Sequence, residues 1–263
     1  MTQPAESEYD AIAGAYKDSK QLSFRKYIEE YTLFETLGDI SGVKALDLAC
    51  GEGFYTRKLK LAGAGEVLGF DVSAEMIRLA EAEERARPMG CRYLNQDAAS
   101  LVLDEPVDLV VAMYLLNYAR DADELLRFVR AVHGALKPGG RFVGFNDNVL
   151  SAPGGTVSYA RYGFEKVYKG TPAGATPSEG TPSGATPTEG DPIVYRFAND
   201  DGTRFEFNNY YLSPGTYFRI FEEAGFSGFR WVEPRLHPSE QHNGFWDEFM
   251  AAPPVIGFGA VRA

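Results

Sequence analysis

The sequence predicts an α/β fold, a mostly parallel sheet of seven strands flanked by helices and doubly wound. Three observations predict it. Apolar runs of strand length end repeatedly in an acid, amphipathic helical segments alternate with them, and the first run leads into a small-residue turn, Ala49-Cys50-Gly51-Glu52-Gly53. Glycine has no Cβ to clash, so such a turn lets a strand end bring bare backbone close to a nucleoside-type ligand.

The elements follow in order. Residues 43–48 form the first strand, with Asp47, Gly51 and Gly53 standing in a D-x-x-x-G-x-G pattern. Residues 66–71 form the second. Its terminal Asp71 lies 20 residues past Gly51, the separation at which a carboxylate takes ribose hydroxyls in a doubly wound fold, although such an acid can also simply cap the next helix. Ser73 is placed to cap that helix, whose apolar stripe is Met76, Ile77, Leu79 and Ala80. The third strand, 91–95, runs into Gln96-Asp97-Ala98. The fourth, 107–112, is β-branched and apolar, as a strand buried on both faces should be. Met113 to Tyr118 follow it, then an amphipathic helix over 121–136, then a Lys-Pro-Gly-Gly turn and a fifth strand to about Phe145.

The flanks organise the rest. Residues 1–40 hold helical segments at 9–16 and 24–37, residues 41–147 form the nucleotide-binding type of core, and 213–263 return to the sheet with a helix at 213–224 and strands at 229–233 and 255–261. Between them, 148–212 are an insertion. Its middle is a tandem decapeptide, TPAGATPSEG then TPSGATPTEG at 171–190, whose composition predicts a flexible surface loop. Residues 192–197 and 204–207 alternate around Asn199-Asp200-Asp201-Gly202, a β-hairpin signal. The hairpin would sit beside the carboxyl ends of the strands.

Composition narrows the classes. A formal net charge of -11 argues against nucleic acid as a partner. No apolar run reaches the roughly 20 residues of a membrane span, and the polar start is unlike a secretory signal. Cys50 and Cys91 read as reduced thiols, which points to the cytoplasm. No His/Cys ligand cluster or G-x-S-x-G elbow is present, so neither a metal nor a serine nucleophile is predicted. The 15 Tyr and 18 Phe suit a pocket for a flat, greasy small molecule, beyond those that fill the core.

The motifs LDLACGEG, GFDVSAEMI, NQDA, VDLVVA and LKPGGRFV together resemble class I S-adenosylmethionine-dependent methyltransferases over residues 40–147. The resemblance implies the Rossmann-like class I methyltransferase fold, S-adenosyl-L-methionine as cofactor (S-adenosyl-L-homocysteine as product), a small-molecule acceptor and a monomer or homodimer. A dinucleotide enzyme shares the fold logic, but Gly51-Glu52-Gly53 is followed by Phe54, Tyr55 and Thr56 rather than completing G-x-G-x-x-G. Tyr9-Asp10-x-Ile12-x-Gly14, Leu116-Asn117-Tyr118-Ala119, Ala224 to Ser227 and Gly244 to Asp247 further resemble toxoflavin-type N-methyltransferases, which act on ring nitrogens of a flat azapteridine-like heterocycle. The repeat loop departs from that pattern. Methylation of oxygen or carbon, or binding of the cofactor without transfer, are the alternatives.

By motif position the resemblance places Ala49, Gly51, Gly53, Asp71, Val72, Met76, Asp97, Ala98 and Met113 at the cofactor, with Asp47 beneath the loop. The N-terminal segment would lie over it as a lid, carrying Tyr9, Tyr16 and Arg25, with Arg25 either bound to the methionine carboxylate or solvated on its helix. Tyr9, Tyr114, Asn117, Tyr118, Asn146, Tyr211 and Trp246 are the acceptor candidates, and Tyr114 and His242 the catalytic ones. His242 reads equally as a surface-loop histidine and Trp246 as packing for the last strands.

Overall fold

Strands β1 (Lys44–Leu48), β2 (Glu66–Asp71), β3 (Arg92–Asn95), β4 (Val107–Met113) and β5 (Leu136–Asp147) lie parallel, because helical crossovers return the chain to the same end of the sheet each time. The structure is a computed structural model that describes residues 17, 19–151, 159–168, 187–198 and 202–263. The helix expected at 9–16, with Tyr9 and Tyr16, and the repeat up to residue 186 lie outside them.

With β9 (Phe226–Val232) and β10 (Val255–Arg262), the strand order is β3-β2-β1-β4-β5-β10-β9, and β10 runs antiparallel to both neighbours. Neighbours β1 and β4 mark the point where the winding reverses, so a crevice opens at their carboxyl ends.

A π-helical segment, Arg25–Glu30, continues into α1 (Tyr31–Leu37); α2 is Phe54–Leu61, α3 Ala74–Ala86, α4 Ala122–Ala135, α5 Pro214–Glu223 and α6 Asp247–Ala251. The alternation of β4 divides the core between two faces. Leu109 and Val111 join Leu33, Leu37, Tyr55 and Leu59 on one; Val110 and Ala112 join Leu125, Val129, Val132, Tyr217 and Ile220 on the other. Helix starts are capped as their sequences direct: Ser73 Oγ accepts from Met76 N at 3.1 Å, and Asp121 Oδ1 from Glu124 N at 2.8 Å.

Gly144 fixes how closely β5 approaches β4. A Cβ there would run into the carbonyl oxygen of Ala112 and lie 2.7 Å from the Phe258 ring. Gly144→Ala is therefore expected to cost roughly 1–3 kcal/mol by overpacking, read as a lowered denaturation midpoint at unchanged slope.

The insertion carries a second sheet of three antiparallel strands, β6 (Phe164–Tyr168), β7 (Pro192–Ala198) and β8 (Arg204–Tyr210). The expected hairpin is β7–β8. Strand β6 was not expected, because Glu165-Lys166 interrupts its apolar run. Opposed residues share a face, so Phe164, Lys166, Tyr168, Ile193, Tyr195, Phe197, Phe205, Phe207 and Asn209 all look one way. Two further bounds differ: β5 runs two residues past Phe145, and β9 begins at Phe226 rather than 229. Among the described residues no helix is long and apolar enough to cross a membrane.

Candidate active site

The turn after β1 is held by the acid after β2. Asp71 Oδ2 accepts the Gly51 N–H at 2.8 Å and Oδ1 accepts the Ser73 N–H at 2.9 Å, so one carboxylate ties the glycine loop to the start of α3. Asp71 is half-buried. Ala49 (φ 60°) and Tyr114 (φ 69°) are the only described residues other than glycine with positive φ. They directly follow β1 and β4, the two strands flanking the crevice. Such backbone costs about 1–3 kcal/mol each and tends to mark functional sites. Gly51 (φ 55°) and Gly53 (φ 81°) complete the turn, and a Cβ on Gly53 would lie 2.6 Å from the Tyr93 hydroxyl.

Asp47 is 1% exposed and takes the Thr56 hydroxyl at 2.6 Å. Burial pushes its carboxyl up to about 7, opposed by the Thr56 hydrogen bond and by Lys20, and assisted by the charge of Asp71. A carboxyl whose folded pKa is raised adds stability that is complete below the ordinary carboxylate range and lost as pH rises through the folded value. Between pH 4 and pH 7 the Asp47→Asn variant should therefore gain stability relative to wild type as pH rises, checked by urea titrations at stepped pH.

The other cofactor candidates cluster here. Met76 is 1% exposed in the first turn of α3, and Val72 gives its carbonyl to Asn95 Nδ2 at 2.7 Å. Asp97 accepts from Ala99 N at 2.9 Å beside buried Ala98. Met113 is buried next to Tyr114, whose N–H donates to Phe145 O at 2.8 Å.

A second network sits between this loop and the inserted sheet. Glu29 is fully buried and receives Arg25 Nη1 at 3.1 Å and the hydroxyls of Tyr55 and Tyr114. Burial, with the Glu29 charge, drives the Tyr55 hydroxyl well above its ordinary pKa. Arg25 also donates to Ser19 O at 3.1 Å, and its guanidinium lies 5.6 Å from the Tyr114 ring and 5.9 Å from that of Phe197. Its charge is thus balanced inside the protein, which removes the alternative of a solvated helix position.

Beyond it lies a narrow aromatic cleft, part of it open to solvent. Phe24, Phe164, Phe197 and Phe207 are its flat walls; Arg25, Tyr114, Tyr118, Tyr195 and Asn209 are its polar ones, with Val255 at the edge. Behind Tyr195 stands Asp147, 3% exposed, which accepts the Tyr195 hydroxyl and the Lys166 ammonium, while Lys166 also donates to Pro254 O. Burial lowers the Lys166 pKa, and the Asp147 charge opposes that. The Asn117 amide oxygen accepts the Asp147 N–H at 3.1 Å, so Asn117 supports this network without lining the cavity.

Of the acceptor candidates, Tyr114 and Tyr118 reach the cavity and four do not. The side chain of Asn146 points to the opposite face of β5, where it donates to the Tyr217 hydroxyl at 3.2 Å; Asp147, one residue on, faces the site. Trp246 is 2% exposed, stacks on Tyr162 at 5.7 Å and donates to Glu240 at 3.1 Å, so it packs the C-terminal turns. Tyr211, half-buried after β8, lies outside the lining. His242 is exposed and also outside it, so a base role for it is not supported. Sequence reasoning missed Glu29, Asp147, Lys166, Tyr195 and Asn209. The alternation along β7 and β8 was the signal for the last two.

The family model described as "Methyltransferase domain" matches residues 45–140. A ubiquinone/menaquinone biosynthesis C-methyltransferase of Acidiphilium cryptum is 36% identical over 122 residues, covering 45% of this chain and 48% of that protein. The chain spans about half the length of the first curated relatives it matches. Among solved structures, an S-adenosylmethionine-dependent methyltransferase from Mesorhizobium loti aligns with a TM-score of 0.61 at 21% identity, over 89% of this chain and 97% of that one. A DhpI-SAM-HEP complex aligns at 0.61 and 20% identity over 100% of both chains. The fold is therefore the Rossmann-like one of S-adenosylmethionine-dependent methyltransferases.

Proposed function

We propose that this chain, whose residues 45–140 match a methyltransferase domain, transfers a methyl group from S-adenosylmethionine to a small planar aromatic acceptor. The observation that carries this reading is the position of Tyr114. It follows β4 in strained backbone at the crevice, shares Glu29 with Tyr55 of the loop helix, and lines the aromatic cavity. One residue thus borders both the nucleotide-type loop and the place for an acceptor.

The residues fit the cofactor. The backbone of 49–53 and Asp71 would hold its ribose and methionine portions, Met76, Asp97 and Ala98 its adenine, and Arg25 its carboxylate, in exchange for part of the Glu29 pairing. When bound, it supplies a methyl group already activated on a positively charged sulfur. What the chain adds is alignment and exclusion of water. Phe164, Phe197 and Phe207 would fix the plane of the acceptor, while Tyr114, held through Glu29, would set its distance from the loop.

The finer reading is a ring nitrogen of a flat heterocycle, supported by the N-methyltransferase-like motifs and by walls that suit stacking. A ring carbon or oxygen is the second reading, favoured by the quinone-pathway name of the Acidiphilium cryptum relative. Incubation with methyl-labelled S-adenosylmethionine and a panel of azaheterocycles, phenols and quinols tests both. Label on nitrogen supports the first, label on carbon or oxygen the second, and no transfer to any planar acceptor counts against the proposal.

A further inference from the structure

Asn209 is 2% exposed, lines the aromatic cavity and has a buried amide oxygen with no hydrogen-bond partner in the protein. A buried unpartnered carbonyl-type oxygen costs about 1–3 kcal/mol, a cost that a native structure retains for a reason. Its strand position excludes accident of a loop: Asn209 pairs with Ile193 in the β7–β8 ladder, on the same inward face as Phe205 and Phe207. A phenylalanine there would continue the aromatic row; an amide breaks it.

Tyr195 is the second polar group on that face. It sits opposite Phe207, diagonal to Asn209, about 7–8 Å away by strand geometry. Its hydroxyl proton is donated to Asp147, which Lys166 holds in place, so Tyr195 has no proton left to donate to a ligand. The inserted sheet therefore has an unmet acceptor in Asn209 and no hydroxyl donor in Tyr195. A ligand carrying only carbonyl or ether oxygens along that edge would face oxygen with oxygen.

We infer that the inserted sheet selects acceptors that are planar and carry an N–H or O–H donor on the edge facing Asn209 and Tyr195, with Asn209 the specificity-determining residue. This rests on the methyl-transfer reading for the cavity's role as acceptor site. It favours lactam, imino, amino or phenolic rings and reduced quinols, and it disfavours oxidised quinones and lactones.

The probe pair is isoquinolin-1(2H)-one and isocoumarin, which differ only by N–H against ring oxygen. Each is titrated calorimetrically into the full chain, alone and saturated with S-adenosylhomocysteine. Wild type is expected to bind the lactam at least about tenfold more tightly than the lactone, from one hydrogen bond made or left unmade. Asn209→Leu should bring that ratio near one, while Asn209→Asp, which can only accept, should retain it. Affinity for S-adenosylhomocysteine should stay unchanged in both variants. Equal binding of the two probes, binding of neither, or a ratio that survives in Asn209→Leu would overturn the inference, as would loss of the ratio in a folded Asn209→Asp. Failure of the methyl-transfer reading shows separately, as absence of S-adenosylhomocysteine binding by wild type.

Discussion

Asp71→Ala is expected to weaken S-adenosylmethionine binding by roughly 10- to 1000-fold, with little change in secondary structure. The carboxylate accepts the N–H groups of Gly51 and Ser73 at 2.8 and 2.9 Å, and charge-assisted bonds of this kind are worth about 1.5–3 kcal/mol each. The effect should fall on binding more than on folding, because the loop it orders is strained. Ala49 and Gly51 both hold positive φ, and without the Asp71 anchor they are free to relax away from the shape the ligand needs. Asp71→Asn keeps the volume but sets an amide N–H against a backbone N–H, so it should lose a large part of the same affinity. Calorimetric titration decides the matter. A folded Asp71→Ala protein with wild-type affinity would remove the cofactor assignment.

Lys166→Met is expected to destabilise the protein by about 3–5 kcal/mol, since it leaves the Asp147 carboxylate buried without its cation. For a chain of this size that corresponds to a fall in Tm of roughly 5–10 °C. The loss also removes one of the two donors to the Pro254 carbonyl, which keeps the Asn148 N–H at 3.0 Å, and leaves the Tyr195 hydroxyl as a side-chain donor to Asp147. Replacing both members of the pair, Lys166→Met with Asp147→Leu, should recover much of the stability, because an apolar pair avoids the desolvation that the ion pair must overcome. Thermal melts of the single and double variants test this. A single variant within about 1 kcal/mol of wild type would mean the pair is screened by water.

How much of this was legible depends on which residues one asks about. The runs at 43–48, 66–71 and 107–112 are apolar throughout because both of their faces are covered, and this pattern survives reading as sequence. Asp71 could be picked out because its distance from Gly51 is set by the crossover. Glu29 could not. An acid four residues after Arg25 on a helix looks like any exposed i,i+4 pair, and only the arrival of Tyr55 and Tyr114 from other elements makes it a buried hub. Lys166 and Asp147 were hidden in the same way, each being a charge that reads as solvent-facing until its partner, 19 residues away, is beside it. Asn146 and Asp147 are adjacent polar residues that the sequence does not tell apart, and in a strand one residue is the difference between two faces. What the side chains of His242 and Trp246 can do carries no information about where a loop sends them.

Among the described residues the inserted sheet shares no backbone ladder with the seven-stranded one, and side chains join the two. Two patches of amide protons should thus report two opening equilibria. Those of β1, β4 and β5 would exchange only through global unfolding, while those of β7 and β8 would exchange through a cheaper sub-global event that leaves the first set protected. The floor of the site would then remain folded while its roof lifts, giving a flat ligand an entrance that does not require breaking the core.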